Sequence, residues 1–560
     1  MEESTSNRER EESTSTTLSI VRIPVKFPYA KAYGTQMAFM TSVIKALNNH
    51  SHGLLESPTG TGKSVSLLCA AIRSQAPKEK HHLSFMHRNR THGQLAQVIN
   101  EYKKSSYWIP RAVLGSRKQL CTNDSIRGEV NVDELCGWLL SEEDSCKEYK
   151  NFQMVKAHFL PSDDCSRPVL DIEDSVNVGL RVKGCSYFAS RAMVEEAELI
   201  FCPYDYIINP AIREGHKINL PGSVIILDEA HNIDDVAREC GSIDLEEEYL
   251  LELKTDLAQL SMIDDMTYRP LLEMTKGILG WIDRRKNTLG SDVKCRCWTG
   301  DEALKELEDA SISLQNFGNL QDLSFVKAIK AATEVKSDMH RLRRKVWFFS
   351  TLCYFFSEIH SFDLALQRAS KKVEDVWTST YTFSLWCLNP AVVFKGIAEL
   401  AQSVILTSGT LSPLNTFSSE LGVKFDTSLQ AQHVINVKSQ VWAAVISTGP
   451  NAQPLNGNFS SADKIEYQDA VGRSLAEIYK VVPGGCLYLQ QPITGKKYQT
   501  TTGNNFVDFG QRSANGILVF NFVRATEVSI QWLGIRPSGD HGCPHLWKIV
   551  IKLLVSEKHT

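Results

Sequence analysis

Residues 57–64 read Ser57-Pro58-Thr59-Gly60-Thr61-Gly62-Lys63-Ser64, and these residue types in this order suit the holding of a phosphate chain. Gly60 and Gly62 let the backbone turn sharply, so that successive N–H groups point inward at phosphate oxygens. Lys63 is placed to reach the β and γ phosphates, and Ser64 to ligate Mg2+. A second stretch, SVIILDEAHN at 223–232, delivers Asp228 and Glu229 directly after four apolar residues. Asp228 suits a water-mediated hold on Mg2+, and Glu229 suits the water that attacks a γ-phosphate. The chemistry this predicts is ATP hydrolysis with Mg2+, carried by Lys63, Asp228 and Glu229, with residues 57–64 as the nucleotide cradle.

Two further stretches offer polar groups beside apolar runs. SVILTSGTLSP at 403–413 presents Ser408, Gly409 and Thr410 after its apolar residues. Hydroxyls at the rim of the same sheet can hydrogen-bond the acids, with His231, and relay nucleotide state; a lone copy of such a stretch also reads as a helix cap. In RTHGQLAQVI at 90–99, Arg90, Thr91 and His92 precede a helix that turns Leu95, Val98 and Ile99 inward. That arrangement suits a grip on a nucleic-acid backbone.

These groups need elements to hold them. Residues 52–56 form a short apolar run ending in a turn, and from Lys63 onward Leu67, Leu68 and Ala71 share a helical face. Strand, glycine loop and helix is the context a phosphate loop requires, with the helix dipole positive toward the anion. The run 224–227 reads as a buried parallel strand carrying its acids at the carboxyl end. The fold class expected is therefore α/β, with a parallel sheet.

Composition limits the rest. The 560 residues carry 42% hydrophobic and 22% charged side chains, values of soluble globular protein, and room for several domains. No run approaches the ~20 apolar residues of a bilayer span, so no membrane partner is expected. The first 17 residues, MEESTSNREREESTSTT, lack the apolar core of a signal peptide and read as disordered. A net charge of -4 argues against a general cationic coat for nucleic acid and leaves room for a local basic groove. Fourteen cysteines without a secretory signal read as thiols or metal ligands.

Taken together, these motifs resemble those of the superfamily two DNA helicases of the xeroderma pigmentosum group D type. Supporting stretches are FPYAKAYGTQ (27–36), CPYDYIINPAIR (202–213), ILDEAHNIDDVARE (226–239), WCLNPAVVF (386–394) and ILTSGTLSPLNTFSSELGVKF (405–425). The resemblance runs over about residues 20–489. It implies a RecA-like motor domain with inserted iron-sulfur and helical arch domains, followed by an incomplete second RecA-like domain. It also implies an adenine contact from Gln36, 5′ to 3′ movement, single-stranded and forked DNA as partners alongside DNA-repair proteins, and a place in the nucleus.

On that pattern the first motor domain comprises 18–115, 191–238 and 386–415, the cluster domain 116–190 and the arch 239–385. The second motor domain starts at 416–489, and 490–560 is a divergent tail. Spacing alone makes Cys121, Cys136, Cys146 and Cys185 a weak metal signal, since no CxxC pair occurs among them. Four thiolates suit a 4Fe-4S cluster or zinc, and only the resemblance favours iron. Cys165 matches no ligand, and Cys295 and Cys297 in KCRCW read as structural. In the arch, Leu250, Leu253, Leu257 and Leu260 follow helical spacing. The run RLRRK (341–345) reads as a solvated helix face or a phosphate contact. No arginine-finger motif is legible in 490–560, and QDAVGRSL (468–475) precedes the strand such a motif should follow. The expectation is a chain that binds ATP and DNA and turns over poorly as written, its tail truncated, divergent or out of frame.

Overall fold

The computed structural model describes residues 15–58, 60–75, 83–87, 92–141, 146–160, 169–286, 289, 294–315, 317, 348, 350–373, 376–411, 413–433, 441–455, 464–481, 489–490, 518–519 and 550–554. The chain divides into two compact units, Met1–Gln432 and His433–Thr560.

The first unit opens with a hairpin of β1 (Thr16–Ile20) and β2 (Ile23–Phe27), so Thr16 and Thr17 belong to a strand rather than to the disordered terminus expected up to residue 17. Its centre is a seven-stranded, all-parallel sheet. The strands are β3 (Gly53–Glu56), β4 (Leu83–His87), β5 (Arg111–Val113), β6 (Leu199–Pro203), β7 (Val224–Asp228), β12 (Ser403–Ser408) and β13 (Thr427–Gln430). They lie in the order β13-β3-β12-β7-β4-β6-β5. Every residue of β7 and of β12 is buried, as their near-continuous Val, Ile and Leu content requires of strands covered on both faces. One face packs on the hairpin and on α1 (Gly34–Asn48), α2 (Lys63–Gln75) and α3 (His92–Lys104), with Phe27, Phe39, Met40 and Ile44 fully enclosed. Helices Ile233–Gly241, Ala391–Leu400 and Leu414–Leu421 cover the other, through Ile233, Phe394 and Leu421. The result is the three-layer α/β architecture expected of a RecA-like motor domain. β13 extends this sheet beyond residue 415, where the sequence reading placed the start of a second domain.

Two segments are inserted into the sheet. Between β5 and β6 run short helices from Arg117–Leu120 to Ser186–Ala192, which carry the four candidate ligand cysteines. Between β7 and β12 lies the arch segment, whose helices are those expected but which also contains a sheet that the sequence reading did not include. Its core is a four-stranded antiparallel sheet, order β8-β11-β10-β9, made of β8 (Ile243–Glu246), β9 (Cys295–Thr299), β10 (Phe362–Val373) and β11 (Val376–Cys387). The two-residue alternation of Phe362, Leu364 and Leu366, matched by Phe383 and Leu385, puts all five into the core shared with the helices. Trp281, fully buried on helix Asp265–Lys286, meets Trp298 and Phe383 edge to face at 5.4 and 5.6 Å. On helix Glu247–Ser261, Leu250, Leu253 and Leu257 are buried and Leu260 is partly so. The run 341–345 lies outside the described residues. No helix among those described is long and apolar enough to cross a membrane.

In the second unit, Val441–Val445 pairs antiparallel with Val550–Leu554, and Leu489–Gln490 with Leu518–Val519. Helix Ile465–Val481 contains Gln468 and Arg473, so QDAVGRSL is a helical turn sequence there. Most of 490–560 lies outside the described residues.

His52 ties three strands together. Its backbone carbonyl accepts from Thr427 at 3.2 Å and its Nδ1 accepts from the Val404 backbone N–H at 3.0 Å. Nδ1 must stay unprotonated to accept, and burial lowers the imidazole pKa against the opposing pull of Asp426. A depressed pKa in the folded state means that stability is present above the ordinary histidine value near ~6.5 and is lost as pH falls below it. Thermal unfolding at about pH 7.5 and 5.5 should show wild type losing ~1 kcal/mol more than His52→Asn, which keeps an acceptor and does not titrate.

Candidate active site at the carboxyl ends of three strands

Three strands that are distant in sequence and adjacent in the sheet end together. Register pairs Thr407 with Asp228 and Ser408 with Glu56, and the Ser57 N–H continues the ladder by donating to the Ser408 carbonyl at 3.0 Å. The phosphate loop, the acidic pair and the hydroxyl stretch therefore emerge side by side, as parallel pairing without a register slip demands.

Inside the loop, the Ser57 and Thr61 hydroxyls are 2.9 Å apart, and Thr61 Oγ1 donates to the Pro58 carbonyl at 2.8 Å. Gly60 and Gly62 have positive φ, +83° and +70°, the conformations for which glycine was expected. At Gly62 a Cβ would also stand 2.4 Å from Gln36 Nε2. Gln36 is buried, accepting from the Tyr33 N–H and donating to the Thr61 carbonyl, each at 2.9 Å. Its amide thus braces the loop from behind, a role the sequence did not suggest. Thr59 lies outside the described residues.

Lys63 is 8% exposed, and its ammonium lies 2.8 Å from Glu229 Oε1 and 3.7 Å from Asp228 Oδ1. Burial alone would lower the Lys63 pKa, but the two carboxylates reverse this and raise it. Burial likewise works to raise the Glu229 pKa, and the His231 hydrogen bond and the Lys63 charge outweigh it, holding the carboxyl well below the usual range. Ser64 Oγ donates to Asp228 Oδ2 at 2.9 Å, so the two oxygens suited to a shared Mg2+ are already neighbours. Ser408 Oγ lies 3.1 Å from Glu229 Oε2 and 2.9 Å from His231 Nδ1. One hydroxyl therefore bridges an acid and an imidazole that come from another strand. Glu229 adopts a left-handed backbone, φ +58°, which is uncommon outside glycine and which turns the chain at the end of β7.

Sequence reasoning missed Tyr204, whose buried hydroxyl donates to the Asp228 carbonyl and fixes the end of β7 from the turn just after β6. The signal was present in the CPYDY stretch, but nothing local tied it to the acids. Gly409 and Thr410 follow Ser408 at the strand end, Gly409 buried and Thr410 exposed. Arg90 and Thr91 lie outside the described residues, and His92 opens α3.

The four cysteines come from four segments and are all buried, between 7% and 9% exposed. Cys121 closes helix Arg117–Leu120, Cys136 lies within Val132–Ser141, and Cys146 and Cys185 each precede a helix. The Cys185 N–H donates to the Glu148 carbonyl at 2.8 Å, and Asn123 Nδ2 donates to Cys146 Sγ at 3.6 Å. Burial pushes the Cys121 thiol up to about 11, with Cys136 and Cys146 adding to the rise. Burial also takes Cys185 to about 12, with Cys121 and Cys136 contributing. Arg117, itself buried, opposes the rise at Cys136 and is held by Asp133 at 3.0 Å and by the Tyr187 ring at 4.4 Å. Such mutually opposing thiols fit a positively charged metal centre that would offset four thiolates. Among the described residues, no three His, Cys, Asp or Glu side chains converge as ligands of one metal ion. Cys165 lies outside the described residues.

The depressed Glu229 pKa carries a sign. Its stabilising pair with Lys63 is complete above the ordinary glutamate value of ~4.3 and is lost as pH falls from there. Acid unfolding should therefore be less steep in Glu229→Gln than in wild type, and equal slopes would show that the pair contributes nothing.

Residues 87–250 match the DEAD_2 family. Over 450 residues, 71% of this chain, the sequence is 33% identical to the Fanconi anemia group J protein homolog of Gallus gallus, covering 35% of that protein. It is 29% identical over 534 residues to the Regulator of telomere elongation helicase 1 homolog of Arabidopsis thaliana, covering 84% of this chain and 50% of the relative. The chain thus spans about a third to a half of the length of these relatives. A solved structure named "Truncated XPD" aligns over 70% of this chain and 98% of its own, with 17% identity and a TM-score of 0.40. From the relatives' sequences and the family match, the chain belongs to the superfamily two helicases of the xeroderma pigmentosum group D type.

Proposed function

We propose that this chain carries the ATP-hydrolysing part of an ATP-dependent DNA helicase of the iron-sulfur class, moving 5′ to 3′ on single strands and acting on forked DNA in nuclear DNA repair. The observation that carries this reading is the meeting of Lys63, Ser64, Asp228, Glu229 and Ser408 at the ends of three adjacent strands. The Lys63 ammonium is held by carboxylates. Phosphate oxygens entering the loop compete for that ammonium and for the backbone N–H groups of residues 60–64. Glu229, released from Lys63, can then orient the attacking water, still hydrogen-bonded through Ser408 to His231. Mg2+ held near Ser64 and Asp228 would neutralise charge on the phosphates.

Gln36 braces the loop from behind and is proposed to contact adenine with its remaining donor. Thr59, Arg90, Thr91 and His92 complete the proposed nucleotide and DNA contacts, and Gly409 and Thr410 the coupling strand end. The four cysteines are proposed to hold a 4Fe-4S cluster, which would cross-link four segments of the inserted domain. DNA-repair proteins are the proposed partners, by way of the relative named for Fanconi anemia. The relatives named for telomere elongation favour telomere maintenance as a second reading, at lower identity.

ATP hydrolysis by the purified chain, with and without single-stranded DNA, tests the proposal. DNA-stimulated turnover should vanish in Lys63→Ala. In Ser408→Ala it should fall by ~10- to 100-fold, the equivalent of one hydrogen bond to a charged group, while ATP affinity holds. A folded chain that binds ATP without turnover would overturn hydrolysis by this chain alone, since charge-stabilising arginines are worth ~10³ to 10⁵ in such reactions. Independently, Cys136→Ser should remove the visible absorption of a cluster, and a colourless wild type prepared anaerobically would refute iron.

A further inference from the structure

Cys295 and Cys297, read from sequence as structural, are both exposed, on the outermost strand of the antiparallel sheet. β9 alternates, so the two cysteines share a face, while Trp298 is buried in the domain core and Arg296 lies over its ring at 5.2 Å. The anchored Trp298 and the five-residue register with β10 fix the strand, and with it the spacing of the thiols. Their Sγ atoms are 3.7 Å apart.

That separation selects among the chemistries of a thiol pair. Two sulfurs 2.3 Å from a tetrahedral zinc ion stand about 3.8 Å apart, the edge of the tetrahedron. Disulfides most often join Cα atoms about 5.5–6 Å apart, and residues i and i+2 of an extended strand stand about 6.7 Å apart, at the far edge of the range, so closure would strain an anchored strand. The Asp363 carboxylate, opposite Thr299 and acting electrostatically on Cys297, adds negative charge beside the pair.

We propose that Cys295 and Cys297 form a two-point chelate for one soft, thiophilic metal ion of the zinc class, with its remaining positions open to solvent. Binding exchanges two thiol protons for two metal–sulfur bonds and involves no change of oxidation state. The site is separate from the nucleotide site and from the four buried cysteines, and it stands whether or not the chain hydrolyses ATP.

Cadmium, titrated into the phosphine-reduced 560-residue chain and followed by its ultraviolet sulfur-to-metal band, tests this directly. Wild type should bind one equivalent more than Cys295→Ser or Cys297→Ser, and each substitution should weaken that equivalent by at least ~100-fold because the chelate is lost. Both residues are exposed, so melting temperature should be unchanged in both variants. Phenylarsine oxide gives a second readout: two thiols should displace its oxygen as water and leave one arsenical bridging residues 295 and 297 in the mass spectrum. Equal cadmium binding by all three proteins, loss in only one variant, or an arsenical that maps only elsewhere would overturn the chelate.

Discussion

A lysine ammonium almost removed from water, with two carboxylates from a different strand as its neighbours, is the constraint on which the motor unit depends. Taking an ammonium out of water costs several kcal/mol unless opposite charge is within reach. Lys63 and its partners are 165 and 166 residues apart in sequence, so the sheet must put them together. It does so through β12, which lies between β3 and β7 and is in register with both. A slip of one residue at either side would turn Thr407 and Ser408 to the wrong faces and separate the acids from the loop. The same paired charges are the ones a nucleotide must rearrange.

The two insertions leave this geometry intact because each has its own core. The antiparallel sheet between β7 and β12 packs around Trp281, Trp298 and Phe383 and returns the chain to the motor sheet through β11 and helix Ala391–Leu400. The segment between β5 and β6 has little apolar material of its own: Cys121 and Cys136 pack with Ile126 and Val132, and a second group gathers around Val155. A small core of this kind benefits from a covalent or metal cross-link, which is the physical case for reading its four buried thiols as ligands. The exposed pair at residues 295 and 297 differs in kind, since its spacing is set by strand alternation rather than by collapse around buried sulfur.

How far the sequence could be read depended on whether the signal was local. The glycine loop, the helix that follows it and the acids after a β-branched run are all encoded within ten residues of the groups they position. Each was legible because backbone freedom at glycine and burial on both faces leave a strong local pattern. Register was not legible. The chain gives no sign that β13 joins β3, so the motor sheet extended past the boundary expected at residue 415. Nor did the arch reveal its sheet readily, because β8 and β9 are only four and five residues long and the core-facing alternation of β10 covers only Phe362, Leu364 and Leu366.

What the sequence determined by itself was the chemistry on offer: a phosphate cradle, a lysine, two carboxylates, a hydroxyl stretch and buried cysteines. What only the tertiary structure decided was which of these touch. It placed Ser408 between Glu229 and His231, turned the Gln36 amide against the loop, brought Tyr204 to the Asp228 carbonyl and exposed the paired thiols of β9. The reason is physical: strand order and register are chosen by the summed burial of whole strands, whereas each functional contact is a single short-range hydrogen bond that can form only after that choice is made.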